Sequence, residues 1–207
     1  MDSLLFIFFS FVEGISVVYL MLSIYRLRMS EFLFPSLGVI LIQCLQSYFL
    51  RGGDISLPYL VPVVNIFLFV FLLTAIIRIP IIWSCFIAIT GYVAYGLIQS
   101  LIVFLSFGLV TIELMQSNSV VNYSVMSISS VSAFLIARIL FRFGIGFSFD
   151  FDKLKFKWER VLLIGIIVTT LVSIAALLQK KDNAIVILFL IISTSFFIYY
   201  SIRKETS

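Results

Sequence analysis

Long apolar runs follow one another along almost the whole chain, and few charges interrupt them. Of its 207 residues, 62% are apolar and only 12% are charged, about half of the ~25% charged residues usual in soluble domains. A soluble core of this length cannot bury so much apolar surface, and a disordered chain would need more charge. The sequence therefore predicts an all-α, polytopic membrane bundle that forms one integral membrane domain over residues 1–207.

The apolar runs have the length that crossing a bilayer requires. A helix rises about 1.5 Å per residue, so a hydrocarbon core of about 30 Å needs about 20 apolar residues. Seven segments meet this condition and are the predicted spans: Leu4–Tyr25, Phe32–Leu50, Leu57–Ile77, Pro80 to at least Leu105, Val121–Phe141, Val161–Leu178 and Ala184–Tyr200.

The region Ile79–Met115 leaves open whether it holds one span or two. Its uncharged part, from Ile79 to Ile112, is shorter than the ~40 residues that two spans and a turn need. One long span with an outer extension, Phe107–Met115, fits better. Two spans would move every later segment to the other side of the membrane.

The positions of the basic residues predict the orientation. Lysine and arginine favour the cytoplasmic side of short loops. With the N-terminus outside, 11 of the 14 basic residues lie inside and 3 lie outside, namely Arg51, Lys180 and Lys181. We therefore expect the N-terminus outside and the C-terminus inside.

The longest predicted inner loop, Phe147–Arg160, alternates aromatic residues with lysines. Aromatic rings favour the headgroup level, and lysines favour anionic lipid. The loop is therefore expected to be an interfacial anchor, or alternatively a contact for a cytoplasmic partner.

Polar residues inside the predicted spans are the informative ones, because polar groups are costly in lipid. Glu13 lies near the middle of the first span. The predicted orientation places most of the uncharged polar groups at a similar depth in the outer half. The candidate ligand-binding residues are Glu13, Gln43, Gln46, Asn65 and Gln99. Such groups either join helices by hydrogen bonds or line a cavity open to the outside.

The residue inventory argues against an enzyme. The chain has no histidine, so imidazole catalysis is excluded. Cys44 and Cys85 lie in apolar runs and match no metal spacing. No aspartate lies within a predicted span, and no phosphate-binding loop is present. We expect no catalytic activity, no cofactor, no metal site and no nucleic-acid partner.

The layout resembles the membrane sensor region of accessory-gene-regulator-type peptide receptor histidine kinases. The similarity rests on the N-out start, on Arg78-Ile-Pro80 after the third span, on the polar patch Tyr95–Ser100 and on the charged end Tyr199–Lys204. The resemblance implies a sensor for an extracellular peptide. No kinase sequence and no phosphoacceptor histidine accompany it, so the expected form is a stand-alone or truncated sensor whose output passes through a partner.

These observations favour a non-enzymatic receptor or regulatory protein of the bacterial plasma membrane. Its expected ligand is an extracellular hydrophobic peptide or lipid-like molecule bound in the outer half of the bundle, and a ligand shifts such a protein between two states by its differential affinity. Its expected partners are the lipid bilayer and a membrane or cytoplasmic protein. Two alternatives remain: the substrate-binding subunit of a transporter, and an accessory or immunity protein that acts by helix–helix contact.

Overall fold

The computed structural model describes residues 3–52, 60–106, 110–147, 165, 167–170, 172–173 and 183–205. All regular structure in these ranges is helical, which confirms the all-α class. The helices are α1 (Ser3–Ile24), α2 (Leu33–Gly52), α3 (Val61–Phe71, extended by a π-helical turn at Leu72–Ile76), α4 (Ile81–Leu105), α5 (Ile112–Ser117), α6 (Ser119–Phe143) and α7 (Asn183–Glu205).

Four of these helices are long and apolar enough to cross a membrane: α1, α2, α4 and α6. Their apolar lengths run from 19 to 25 residues, which corresponds to about 28–38 Å. Two shorter apolar helical stretches, Val61–Ile76 and Val186–Ile202, belong to α3 and α7. The predicted span Val161–Leu178 lies largely outside the described residues, and its described residues 165, 167–170 and 172–173 are helical.

The region Ile79–Met115 contains one helix of spanning length in its described part. Helix α4 runs without a break for 25 residues and ends at Leu105. Helix α5 has 6 residues, about 9 Å of rise, which is too short to cross a bilayer. Among the described residues, this arrangement agrees with one span in this region rather than two. Residues 107–109 of the predicted extension Phe107–Met115 lie outside the described residues.

Local signals explain where several helices begin and end. A proline lies in the first turn of α3, where its missing N–H costs nothing. Asn118 caps α6 by accepting a hydrogen bond from the Val120 N–H at 3.0 Å. Gly144 ends α6 with φ 65°, the left-handed conformation favoured in helix C-caps.

The helix contacts define two ends of the bundle. We call the end where α1 begins the upper end, and the end at Ile24 the lower end. Phe6 near the start of α1 contacts Tyr48 near the end of α2, so α2 runs antiparallel to α1. Phe9 stacks on Tyr123 near the start of α6, with ring centroids 4.8 Å apart. Since Phe147 beyond the end of α6 donates its N–H to the Ile24 carbonyl, α6 runs parallel to α1.

Helix α4 runs antiparallel to α1, and α7 runs antiparallel to α4. The Tyr25 hydroxyl, at the lower end, donates to Thr90 Oγ1 in α4 at 3.2 Å. Leu190 in α7 lies beside Gly96 in the upper half of α4, and Phe197 packs edge-on against Phe86 in its lower half. The described chain therefore reaches the lower end with α6 and resumes at the upper end with α7.

Helix α1 is the centre of the described packing. It packs against α2, α4 and α6, and its contact with α6 is the most extensive in the described part of the bundle. A glycine makes its crossing with α4 close, because a Cβ on Gly91 would lie 2.9 Å from the Met21 backbone. Met21, Leu22 and Val18 are fully buried in this core.

Candidate functional site

A cavity of about 80 Å³ lies between α1, α2, α3 and α4. Every one of these four helices contributes at least one polar side chain to its wall. The lining residues are Ser10, Glu13, Val17, Gln43, Cys44, Ser47, Arg51, Asn65, Tyr92, Tyr95, Gly96 and Gln99. On each helix they come from the upper half or the middle, so the cavity belongs to the upper half of the bundle.

Helical periodicity explains why these residues share one space. Residues three, four and seven positions apart lie on the same face of a helix. Ser10, Glu13 and Val17 have this spacing on α1. On α2 the lining residues are Gln43, Cys44, Ser47 and Arg51, and on α4 they are Tyr92, Tyr95, Gly96 and Gln99, with the same spacing.

A carboxyl group and a guanidinium line the cavity at different levels. Glu13 is half-buried and is the eleventh of the 22 residues of α1, near mid-helix. Arg51 is exposed at the upper end of α2. The Arg51 guanidinium lies 5.6 Å from the centroid of the Phe6 ring, a distance typical of a cation–π contact. The charged atoms of Glu13 and Arg51 lie farther apart than the 4.0 Å of a contact ion pair.

Three deeply buried side chains of the wall carry unpartnered polar atoms. Within the described part of the chain, Gln43 Oε1, Asn65 Oδ1 and the Tyr95 hydroxyl have no hydrogen-bond partner. Their residues are only 8%, 5% and 3% exposed. The Tyr95 hydroxyl lies beside the Glu13 carboxyl but makes no bond of regular geometry. Buried polar atoms normally have partners, because leaving them unpaired is costly.

Four of the five residues singled out from the sequence line this cavity: Glu13, Gln43, Asn65 and Gln99. Gln46 does not. It was placed on one helical face with Gln43, but the cavity follows Gln43, Ser47 and Arg51, which are four residues apart. Gln46 lies beside that row, with both amide atoms buried and without a partner among the described residues.

The candidate residues from the sequence do not include Arg51, Tyr92 or Tyr95, which also line the cavity. In the sequence, Arg51 stands out only as a charge on the outer side, and Tyr95 only as the start of the polar patch Tyr95–Ser100. The signal for all three is the spacing: Arg51 is eight residues from Gln43, and Tyr92 and Tyr95 precede Gln99 by seven and four. All three residues therefore lie on the same helical face as a polar residue singled out from the sequence.

The serines of α6 are divided between two environments. Ser124 and Ser127 donate to carbonyl oxygens of their own helix, four residues earlier, at 2.8 Å. Ser129 and Ser130 are fully buried, and no described group bonds their hydroxyls. Ser130 lies close to the Tyr95 hydroxyl, so α6 forms a second polar layer behind the cavity wall.

The cavity volume limits what it can hold. A single water needs about 10–15 Å³ by the same kind of measure, whereas pockets for drug-sized ligands measure roughly 300–1,000 Å³. The cavity of about 80 Å³ therefore holds a few waters or one small polar group. It does not hold a whole peptide or lipid. Within the described residues, no three His, Cys, Asp or Glu side chains cluster as a metal site would require.

Comparison with known proteins gives no relative for this site. No protein-family model matches the chain, and neither a curated protein nor a solved structure matches it.

Proposed function

We propose that this chain is a non-enzymatic membrane receptor or regulatory protein with seven spans, its N-terminus outside and its C-terminus inside. It takes the polar end of a hydrophobic peptide or lipid-like ligand into the cavity. The observation that carries this proposal is the set of buried, unpartnered polar atoms on Gln43, Asn65 and Tyr95 around the Glu13 carboxylate. A ligand group that pairs with them gains the hydrogen bonds that the bundle itself does not supply.

The helix directions support the seven-span count. Helix α6 reaches the lower end, where Phe147 bonds to Ile24, and α7 resumes at the upper end, where Leu190 lies beside Gly96. The chain has to return from one end to the other between them, and the predicted span Val161–Leu178 has the length and composition for this. With the basic residues inside, the upper end and its cavity face the outside.

Helix α1 offers a route from the cavity to the lower end. Its Ser10 and Glu13 line the cavity, and its last residue, Ile24, accepts the Phe147 N–H at 2.8 Å. The next turn adds a second link, because the Arg26 guanidinium donates to the Gly144 carbonyl oxygen. We name these two links the α1–α6 clasp. A shift of α1 on ligand binding changes the clasp and thereby the basic loop that follows it.

Packing below the cavity favours a receptor over a transport subunit. The lower half of the described bundle is filled by large buried side chains, among them Trp83, Phe86 and Phe197. Phe86 contacts both Phe197 and Tyr200 of α7, with ring centroids 5.0 and 5.4 Å apart. A transport path would have to open this aromatic packing, whereas a receptor needs only a shift of α1 against it.

The coupling can be tested before any natural ligand is known. In the full chain with Cys44→Ser and Cys85→Ser, Ser47→Cys is modified with methanethiosulfonate-ethylammonium, which places an aminoethyl group in the cavity. Hydrogen–deuterium exchange of the peptide containing Phe147 is then compared before and after modification. A receptor predicts at least a severalfold change in exchange, because occupying the cavity moves α1 and its clasp.

The matched control is Phe49→Cys in the same background. Phe49 lies on α2 two residues away from Ser47 but is 70% exposed on the outer face of the helix. Its modification is expected to leave the exchange unchanged. Equal exchange with the Ser47→Cys chain modified and unmodified contradicts the receptor mechanism and favours the transport or accessory alternatives.

A further inference from the structure

The cavity combines a carboxylate, buried acceptor atoms and, at its upper edge, a guanidinium. Any ligand of the receptor proposed above has to match these groups at one end. The polar groups of the cavity wall indicate which charges and which hydrogen-bond donors the end group of the ligand carries.

Three groups in the lower part of the cavity can accept hydrogen bonds. Glu13 supplies a carboxyl group, and Gln43 Oε1 and Asn65 Oδ1 are amide oxygens without partners in the described part of the chain. A primary ammonium group has three N–H donors and no acceptor. Its three donors equal these acceptor groups in number, and an ammonium beside Glu13 favours the ionised form of that carboxyl group.

The upper edge of the cavity favours the opposite charge. Arg51 lines the cavity and stays exposed, and its guanidinium lies over the Phe6 ring. A guanidinium there binds a carboxylate or phosphate through paired N–H donors. Because Glu13 and Arg51 do not form a contact ion pair, both groups are free to pair with a molecule lying between them.

We propose that the cavity binds a zwitterionic end group, with its primary ammonium beside Glu13, Gln43 and Asn65 and its anionic group beside Arg51. The inference rests on the receptor function proposed above and specifies its ligand. This chemistry has two sources: the aminoethyl phosphate head of a lipid-like ligand, or a free small zwitterion. The volume of about 80 Å³ admits the ammonium and the adjoining carbon atoms and keeps the rest of the ligand outside.

The test uses the purified full chain in phosphatidylcholine nanodiscs, with thermal unfolding as the readout of binding. The probe is O-phosphoethanolamine. Three analogues of the probe each lack one feature. Ethyl phosphate lacks the ammonium, ethanolamine lacks the anion, and O-phosphocholine keeps both charges but has no N–H donors. The proposal predicts an affinity for O-phosphoethanolamine at least about tenfold above that for each of the three, as expected for losing a charged hydrogen bond.

Two variants assign the charges. Glu13→Gln is expected to weaken O-phosphoethanolamine binding at least about tenfold and to leave ethyl phosphate unaffected. Arg51→Met is expected to make O-phosphoethanolamine bind no better than ethanolamine. The matched controls are Glu31→Gln and Arg138→Met, which change an exposed acid and an exposed arginine outside the cavity lining and are expected to change no affinity.

A second nanodisc, of phosphatidylcholine and phosphatidylethanolamine in equal parts, separates the two sources. A lipid source predicts a higher unfolding temperature in this nanodisc and competition with the soluble probe. A free zwitterion predicts neither. In the lipid case, Glu13→Gln has to abolish the rise in unfolding temperature.

The proposal is contradicted if ethyl phosphate or ethanolamine binds as tightly as O-phosphoethanolamine. It is also contradicted if O-phosphocholine does so. Absence of any binding also overturns it. In that event the Ser47→Cys exchange experiment still decides the receptor function by itself. A change in exchange without zwitterion binding overturns only the ligand chemistry, whereas no change overturns both.

Discussion

At the scale of single residues, buried polar atoms without partners separate two roles for the intramembrane polar groups. Asn65 and Gln43 each have an unpaired amide oxygen among the described residues. Ser84, in contrast, is fully buried and donates to the Ile79 carbonyl oxygen at 3.1 Å. A group with a purely structural role is expected to be paired, as Ser84 is, and a group kept for a ligand is expected to resemble Asn65.

Asn65→Leu tests this distinction. The oxygen of this buried amide is unpaired among the described residues. Replacing the amide by an apolar group of similar size removes that uncompensated cost, so we expect stability to rise by about 1–3 kcal/mol without ligand. Ser84→Ala, which loses a formed hydrogen bond, is expected to lower stability by about 0.5–1.5 kcal/mol. Chemical unfolding in detergent measures both. A loss of stability in Asn65→Leu would show that the amide joins helices.

Gly91 is a second residue whose role follows from its surroundings. A Cβ there would lie 2.5 Å from Met21 Cβ and 2.9 Å from its Cα, and the backbone of α1 cannot give way cheaply. Gly91→Ala is expected to cost about 1–3 kcal/mol of stability, the usual range for overpacking a core.

Gly38→Ala is the matched control, because nothing lies within 4 Å of a Cβ at Gly38. Alanine in that open helical position is expected to stabilise the chain by about 0.5–1 kcal/mol. Thermal unfolding of the two variants under the same conditions gives the comparison. Equal unfolding temperatures would mean that α1 and α4 do not cross as closely as described.

At the scale of helices, the α1–α6 clasp is the feature with the clearest mechanical consequence. A Cβ on Gly146 would lie 2.8 Å from the Ile24 carbonyl oxygen, the same atom that accepts the Phe147 N–H. Gly146→Ala is therefore expected to break this hydrogen bond. The rate of hydrogen–deuterium exchange at the Phe147 amide should rise about tenfold, which corresponds to a loss of about 1.4 kcal/mol of protection.

The control for the clasp is Gly165→Ala, since a Cβ at Gly165 has nothing within 4 Å. In the Gly165→Ala variant, hydrogen–deuterium exchange at the Phe147 amide is expected to equal that of the unsubstituted chain. Unchanged exchange in Gly146→Ala would mean that the clasp does not link α1 to α6.

The helices were largely predictable from apolar length, but their rotations were not. The boundaries of α2 and α6 agree with the predicted spans to within a few residues. Gln46 shows how far the sequence can predict the site. Gln46 is three residues from Gln43 and therefore close to the same face, yet the cavity is lined by Gln43, Ser47 and Arg51, which are four residues apart. Which row turns inward depends on neighbouring helices, as where Ile40 packs beside Gly14, and no single segment encodes that contact.

At the scale of the whole molecule, seven spans determine the side of the membrane on which each loop and the C-terminus lie. Reporter fusions after Ser30 and at Ser207 are expected to report the inside, and fusions after Gly53 and Ser117 the outside. The reason is that the described arginines Arg26, Arg28, Arg78, Arg138 and Arg142 lie towards the lower end. In addition, α6 and α7 both run from the upper end to the lower end. A fusion at Ser207 that reports the outside would contradict the seven-span count.

The most direct test of the central claim is whether the cavity can be reached from outside the cell. Gln99 lines the cavity, and Ile145 lies exposed beyond α6 at the lower end. Each is replaced by cysteine in the chain with Cys44→Ser and Cys85→Ser, and intact cells are treated with a membrane-impermeant thiol reagent. The account predicts that Gln99→Cys is labelled in intact cells and that Ile145→Cys is labelled only after permeabilisation. The reverse pattern would place the cavity on the cytoplasmic side and contradict an extracellular receptor.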